Sequence, residues 1–450
     1  MKTGRGIVGA IASVALGLSL AAKAQSPSAD ALIHKLVQKG ILTEQEAREL
    51  VAEAGTNQTS AARTSIAPWV KSMKLGGELR GRFDGSFQDK SNKGAGTATE
   101  DREQFRYRLR YGVTMDLVDQ FEVGLRLGSG QIGSAAPSLG GSPLSGNTTE
   151  GNDASRKFIF VDAAYAKWKP SDRFSAEFGK MNDAFWATDM IFDPDYTPEG
   201  MQQKLTLPLS EGHKINLTAG QWVIFENFNA TTNNESFSTN NAAISPNRDV
   251  YLFLGQADWA AKWSDHLSTR LAVSSYAFLN QRDISPTLET FINQAGTSAA
   301  GSNAPNFNPI IVRGETTYLL ESAPFFRGPF PLTLGAEYVY NPGASHLGSG
   351  AEGYNLGFVL GDSAKKHNWR ISYNYKRIGT AATWHGLNDD DFGVNAKGGT
   401  GVQGHQVIAS YHLLEPLFVN FRFMRTEQIN QPPTVSSQQV RVLFDLLVNF

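Results

Sequence analysis

Residues 438–450 read QQVRVLFDLLVNF, and alternation places Val440, Val442, Phe444, Leu446, Val448 and Phe450 on one face of a strand. Arg441, Asp445 and Asn449 fall on the other face, where Leu443 and Leu447 interrupt them. An unbroken apolar face ending on an aromatic carboxyl terminus predicts a strand lying against lipid in an outer-membrane barrel. A soluble β-sandwich could bury the same face, so the remaining pattern has to decide.

The period of two returns from Met73 onward. In KLGGELRGRFD, Leu75, Gly77, Leu79, Gly81 and Phe83 alternate with Lys74, Glu78, Arg80, Arg82 and Asp84. FRYRLRYGVTMD sets Phe105, Tyr107, Leu109, Tyr111, Val113 and Met115 against Arg106, Arg108, Arg110, Thr114 and Asp116. FEVGLRL sets Phe121, Val123, Leu125 and Leu127 against Glu122 and Arg126. Further strands are predicted near 158–168, 172–179, 201–209, 214–226, 250–263, 266–279, 308–321, 330–341, 352–362, 367–378, 404–412, 416–427 and 438–449. The segment 158–168 has a mixed pattern that cannot be assigned to faces. The total is about sixteen antiparallel strands, with fourteen to eighteen admissible.

Long and short connections alternate. Long ones fall near 85–103, 128–157, 180–200, 227–249, 280–307, 342–351, 379–403 and 428–437, and short ones at 117–120, 169–171, 210–213, 264–265, 363–366 and 413–415, with a longer turn near 322–329. A barrel with both termini in the periplasm has short turns there and long loops outside, whereas a sandwich has no reason for this asymmetry. The predicted fold is therefore an all-β transmembrane barrel. Trp168, Trp222, Trp259, Trp263 and Tyr411, near strand ends, fit interfacial aromatic girdles.

The amino-terminal region differs. Lys2 and Arg5 precede an apolar run from Ile7 to Leu20, and Ala22-Lys23-Ala24 forms a cleavage site, so residues 1–24 read as a secretory signal peptide. Residues 25–55 read as a periplasmic helical hairpin, with Leu32, Ile33, Leu36 and Val37 on one stripe and a second helix opened by a Thr43–Glu46 capping box. Residues 56–70 read as a linker and 71–450 as the barrel. No later run approaches the ~20 apolar residues of a transmembrane helix. The absence of cysteine removes disulfides and thiolate metal sites, and a formal charge of −2 argues against a nucleic-acid partner.

Several segments resemble the putative porin family of Gram-negative bacteria: LVQKGILTEQEARELVAEA, KLGGELRGRFD, REQFRYRLRYG, GKMNDAFWATDMIFDPDYTPEG and the stretch from Trp369 to Phe423. The resemblance implies an outer-membrane location, passive transport of ions or small hydrophilic solutes, a homotrimer, and Phe450 as the aromatic read by the assembly machinery.

Two features carry the candidate chemistry. Arg80, Arg82, Arg106, Arg108, Arg110 and Arg126 share the polar faces of three consecutive strands. Facing lipid, each would cost about 2–4 kcal/mol near the midplane, so they are predicted to line the pore, either pairing with Glu78, Asp84, Asp116 and Glu122 or also selecting ions. The third long loop carries Asp183, Asp189, Asp193, Asp195 and Glu199 among Phe185, Trp186, Met190, Ile191, Phe192 and Tyr196. So apolar a loop should leave water; in the porins this chain resembles, the third loop enters the channel, and an acidic loop opposite arginines would set up a transverse field. An extracellular lid is the plainer reading.

Asp389, Asp390 and Asp391 offer oxygen ligands for a hard cation but lack calcium-loop spacing, so a solvated loop tip is preferred. The glycine-rich pieces GSGQIGS and KGGTGVQG precede no helix and read as loops. Ser410 and His412 share a face, but nothing around them marks an oxyanion site. The expectation is a diffusion channel that is not an enzyme, with no cofactor or metal; a receptor or anchor barrel, or a barrel hydrolase using Ser410 and His412, is the alternative.

Overall fold

The alternation of residues 73–84 belongs to a longer strand, β1 (Val70–Gln88), the first of seventeen in one antiparallel sheet. The computed structural model describes residues 38, 43, 45, 67–88, 101–132, 140–151, 153–226, 248–284, 288, 289, 292, 296–300, 303–394, 398–429 and 438–450. After β1 come β2 (Arg102–Leu117), β3 (Phe121–Gly130), β4 (Thr148–Thr149), β5 (Phe158–Ser171), β6 (Phe174–Lys180), β7 (Glu199–Ser210), β8 (His213–Phe225) and β9 (Val250–Lys262). They continue as β10 (Leu267–Leu279), β11 (Ile310–Leu320), β12 (Phe330–Tyr340), β13 (Glu352–Gly361), β14 (Trp369–Ile378), β15 (Val402–Leu414), β16 (Leu417–Gln428) and β17 (Gln438–Asn449).

β4 is a two-residue strand against Arg106 and Tyr107 of β2. The other sixteen pair with their neighbours in chain order, and β17 returns to β1 from Glu78↔Asn449 to Gln88↔Gln439. The result is a closed sixteen-strand barrel. Closure leaves no sheet edge, the condition for crossing hydrocarbon with strands.

Alternation assigns the faces as the sequence predicts. Leu75, Leu79, Phe105, Tyr111, Leu125, Leu127, Phe444 and Leu446 are exposed on the outside, while Arg80, Arg82, Asp84, Arg108, Arg441 and Asp445 are buried inside. Trp259, Trp263 and His213 cluster near one short turn, and Trp168 packs on Phe121 and Phe174 near another. At the carboxyl terminus, the Phe450 backbone exchanges hydrogen bonds of 2.8 and 3.0 Å with Gly77. A Cβ on Gly77 would lie 2.4 Å from the Arg110 carbonyl and 2.8 Å from the Phe450 ring, so only glycine fits this seam.

Two expectations change and two open points resolve. The mixed pattern of 158–168 has a cause: Arg126 pairs with Ala163 but Leu127 with Val161, so Asp162 is an extra bulged residue that shifts the alternation. The strand also continues through Ser171, so the predicted turn at 169–171 is strand. Trp222 is not a girdle residue: it shares phase with Asn216 and Thr218, points inward and is 0% exposed. Leu443, on the inward phase of β17, is 1% exposed because loops fill the lumen beside it.

The chain divides into two compact units, Met1–Val70 and Lys71–Phe450. In the first, Gln38 and Gln45 are helical and Thr43 is not. The signal peptide, most of the linker, and the rest of the helical hairpin with its capping partner Glu46 lie outside the described residues. No described helix is long and apolar enough to cross a membrane.

Candidate functional site

Two loops leave the long-loop end of the wall and fold into the lumen: residues 181–198, between β6 and β7, and 379–401, between β14 and β15. The first carries too much apolar surface to stay in water. Phe185, Phe192 and Tyr196 surround the inward Trp222 with ring centroids 5.7, 5.6 and 5.9 Å away. Burying three aromatic side chains supplies several kcal/mol towards docking.

The loop then reaches the far wall. Trp186 lies under the guanidinium groups of Arg270 (β10) and Arg313 (β11), each 4.1 Å from its ring. The Gln256 side chain accepts from the Trp186 N–H at 2.9 Å and donates to its carbonyl at 3.0 Å. The Thr188 N–H donates to Glu337 at 3.1 Å, and its hydroxyl binds the same carboxyl group. Asp189 takes the Lys376 ammonium at 2.8 Å, and Lys376 is fully buried above the Phe392 ring. On the opposite side, Asp195 Oδ1 accepts from Arg108 at 2.6 Å and from Arg110 at 3.2 Å. The loop is thus strapped to both walls.

The second loop holds Asp389, Asp390 and Asp391. Asp391, 6% exposed, accepts from Arg82 at 3.1 Å and Arg422 at 3.2 Å, and Arg441 lies 2.9 Å from its other oxygen. Their reading as a solvated loop tip is therefore overturned. The cause is again composition, since Ala381, Ala382, Trp384, Leu387, Phe392 and Val394 of the same loop are buried. The two loops are sewn together: Asp193 N–H donates to the Leu387 carbonyl at 2.6 Å, Asp389 N–H to the Asp189 carbonyl at 3.1 Å, Asp390 N–H to Asp193 Oδ2 at 3.0 Å, and the Asn388 amide to the Met190 carbonyl.

The six arginines singled out in the sequence lie on the inner wall, and five form ion pairs there. Arg82 forks onto Asp445 at 2.6 and 2.9 Å; Arg106 meets Asp84 at 3.2 Å; Arg108 also meets Glu78; Arg110 and Arg126 share Asp162. Asp84 in turn accepts both arms of Arg441 at 2.9 Å. Arg80 differs: its Nη2 donates to the Asn147 side-chain amide oxygen, Oδ1, at 2.6 Å, and among the described residues it forms no ion pair. Asn147 belongs to the inward segment 144–148, part of a third loop entering the lumen. The five paired guanidiniums are tolerable at this burial because carboxylates face them. Of the loop acids, Glu199 stands apart, opening β7 and pairing with Lys180 at 3.1 Å with its side chain 63% exposed.

Burial sorts the loop carboxyls into two states. Burial raises Asp391, Asp195 and Asp189, but the arginines or lysine beside them more than offset it and hold all three below the usual carboxylate range. Asp183, with only the Phe185 N–H at 2.8 Å, is pushed up to about 7 by burial. Asp193 and Asp390 are raised well above the ordinary value by burial and by neighbouring carboxyls. Carboxylates that keep their charge are thus the ones already facing a cation. Donor oxygens of Asp193, Asp389 and Asp390 lie within 4.8 Å of one another, but Arg422 and Lys376, 3.8 and 4.0 Å from Asp389, already bring positive charge there.

Ser410 and His412 do share the inner face of β15, where His412 stacks on Phe418 with centroids 4.1 Å apart and its Nε2 meets the Glu415 carbonyl at 3.3 Å. Sequence reasoning missed Arg270, Arg313, Glu337, Lys376, Arg422 and Arg441 as parts of the site. Their inward phase on polar strand faces was the available signal.

Comparison with known proteins fits this architecture. Among solved structures, the chain is similar to the high-pH structure of Pseudomonas putida OprB, with a TM-score of 0.50 and 13% identity over 84% of this chain and 94% of that one. The low-pH structure of the same protein gives a TM-score of 0.43 and 10% identity over 84% and 93%. A mutant of Rh. blastica porin gives 0.41 and 13% over 84% and 100%. None of the curated proteins matches the sequence. The family model described as "Putative porin" matches residues 81–326 and 333–450, most of the barrel, and the chain belongs to that family.

Proposed function

We propose that this protein is a porin of the cell outer membrane, a water-filled channel for passive diffusion of ions and small hydrophilic solutes, assembled as a homotrimer. Short turns face the periplasm in this reading, long loops face outside, and Phe450 is the assembly signal. The observation that carries it is the strapping of loop 181–198 across a closed barrel, which narrows the lumen without disturbing the wall. At the narrowing, Arg108 and Arg110 of the wall formed with Arg80, Arg82, Arg106 and Arg126 meet Asp195 of the acidic loop, while Asp189 meets Lys376 on the far side. Because the loop's ionised carboxylates are matched by cations, uncompensated charge there is positive, led by Arg80, and favours anions.

Liposome swelling with sugars of graded size tests solute passage: swelling that falls off with solute size supports the channel, and no swelling contradicts it. A receptor or anchor is the second reading, favoured by the stitching of the two loops to each other across the lumen. Neutralising Arg106, Arg108 and Arg110 together is expected to move the zero-current potential in a salt gradient towards cations. An unchanged potential would remove the arginines from permeation.

A further inference from the structure

Below the narrowing, towards the short turns, strands β7 to β11 line a cavity of about 590 Å³. Strand register builds it. Lys214 (β8) lies opposite Ala260 (β9), Ala260 opposite Arg270 (β10), and Arg270 opposite Glu315 (β11). One row nearer the turns, Ser268 pairs with Lys262 on one side and with Thr317 on the other. Short side chains thus interrupt the rows, Ala260 between Lys214 and Arg270 and Ser268 between Lys262 and Thr317, leaving a hollow.

The charges of the hollow do not cancel. Arg270 holds Asp258 through Nε at 2.8 Å and covers Trp186 with its face. Among the described residues, no protein group bonds its terminal nitrogens. Glu315 is paired with Arg313. Lys262 meets Asp265 at 2.6 Å, but both side chains are more than half exposed, so water and salt screen that pair. Lys214 has no ion-pair partner among the described residues, nor has Lys204, which stands in the field of Lys214, Arg270 and Asp258. Among the residues that line the hollow, Lys214, Lys262 and Arg270 therefore outnumber Glu315. Hydroxyl donors are supplied by Ser268 and Thr317.

We propose that this cavity is a binding site for a small doubly charged oxyanion, holding such solutes at the short-turn mouth on the periplasmic side of the narrowing. Two ammonium groups and the free edge of a guanidinium around hydroxyl donors match the charge and hydrogen-bond acceptors of a phosphate group. The site deepens the channel reading and rests on it for its role in transport, whereas binding itself can be measured without any current.

Inorganic phosphate is the probe. Calorimetric titration of the detergent-solubilised full chain, at low ionic strength and mildly alkaline pH, is expected to show saturable binding. Lys214→Gln and Lys262→Gln should each weaken it about tenfold. Lys157→Gln, which removes a cation from the long-loop side, should leave it unchanged. Equal phosphate affinity in the wild type and the Lys214→Gln/Lys262→Gln double variant, or an equal loss in Lys157→Gln, overturns the site. Retention of the barrel's heat-modifiable electrophoretic mobility excludes misfolding as the cause of a loss. Phosphate binding without ion conductance would refute the channel reading and leave the site standing; conductance without phosphate binding would do the reverse.

Discussion

Asp391→Asn removes the charge that holds loop 379–401 against the wall. The carboxylate faces Arg82, Arg422 and Arg441 at 3.1, 3.2 and 2.9 Å in a buried setting. Removing one partner of a buried ion pair costs about 3–5 kcal/mol, because the remaining charge stays desolvated. Arg82 keeps Asp445 and Arg441 keeps Asp84, which favours the lower end of that range. A loss of about 3 kcal/mol, at 1.4 kcal/mol per tenfold, raises the undocked fraction of the loop roughly a hundredfold. The chain has no cysteine, so Ala382→Cys would introduce a unique thiol at a fully buried loop position. Its maleimide labelling tracks local opening. Labelling about a hundredfold faster in the Asp391→Asn background, with barrel mobility on gels unchanged, is the expected outcome. Equal labelling rates would refute the idea that this ion cluster holds the loop in place.

Trp186→Ala removes two cation–π contacts worth about 0.5–2 kcal/mol each, and should increase open-channel noise and mean conductance by loosening loop 181–198 at the far wall, where its bonds to Gln256, Glu337 and Lys376 remain; currents identical to wild type would show the stack is dispensable. Asp183 carries a sign that can be tested. Its folded value near 7 lies above the ordinary carboxylate range, so its contribution to stability is complete below about pH 4 and is lost as pH rises towards 7. Asp183→Asn, which can still accept from the Phe185 N–H, should match wild type in thermal unfolding below about pH 4 and gain an advantage that grows up to about pH 7; an advantage largest in acid would reverse the argument. Gly77→Val must push into the Arg110 carbonyl and the Phe450 ring, so the barrel should lose several degrees of thermal stability or fail to assemble; a wild-type melting curve would contradict the packing at this seam.

Much of the wall was legible because lipid outside and a polar lining inside impose alternation on each strand. Met73 to Asp84 and Gln438 to Phe450 show it most clearly, and the loop rhythm added the direction of the chain. Failures have local causes. Asp162 hides a bulge, which no period-of-two template can anticipate. Residue type and a place near a strand end suggest a girdle role for Trp222, whereas its phase with Asn216 and Thr218 points inward. Loop 181–198 was readable from its apolar content, yet the same signal in Ala381, Ala382, Trp384, Leu387 and Phe392 was outweighed by the aspartates beside them. Asp391 is held in a buried place because Arg82, Arg422 and Arg441 meet it from three strands, a convergence of residues 82, 422 and 441 that sequence spacing does not encode.

The most direct test of the account is the current through a planar bilayer after addition of purified protein. A closed sixteen-strand wall narrowed by strapped loops should give discrete, ohmic single-channel steps, and each step should grow in the Trp186→Ala variant. A correctly folded barrel that inserts but passes no steps in either form would contradict the channel and leave the wall as an anchor or receptor.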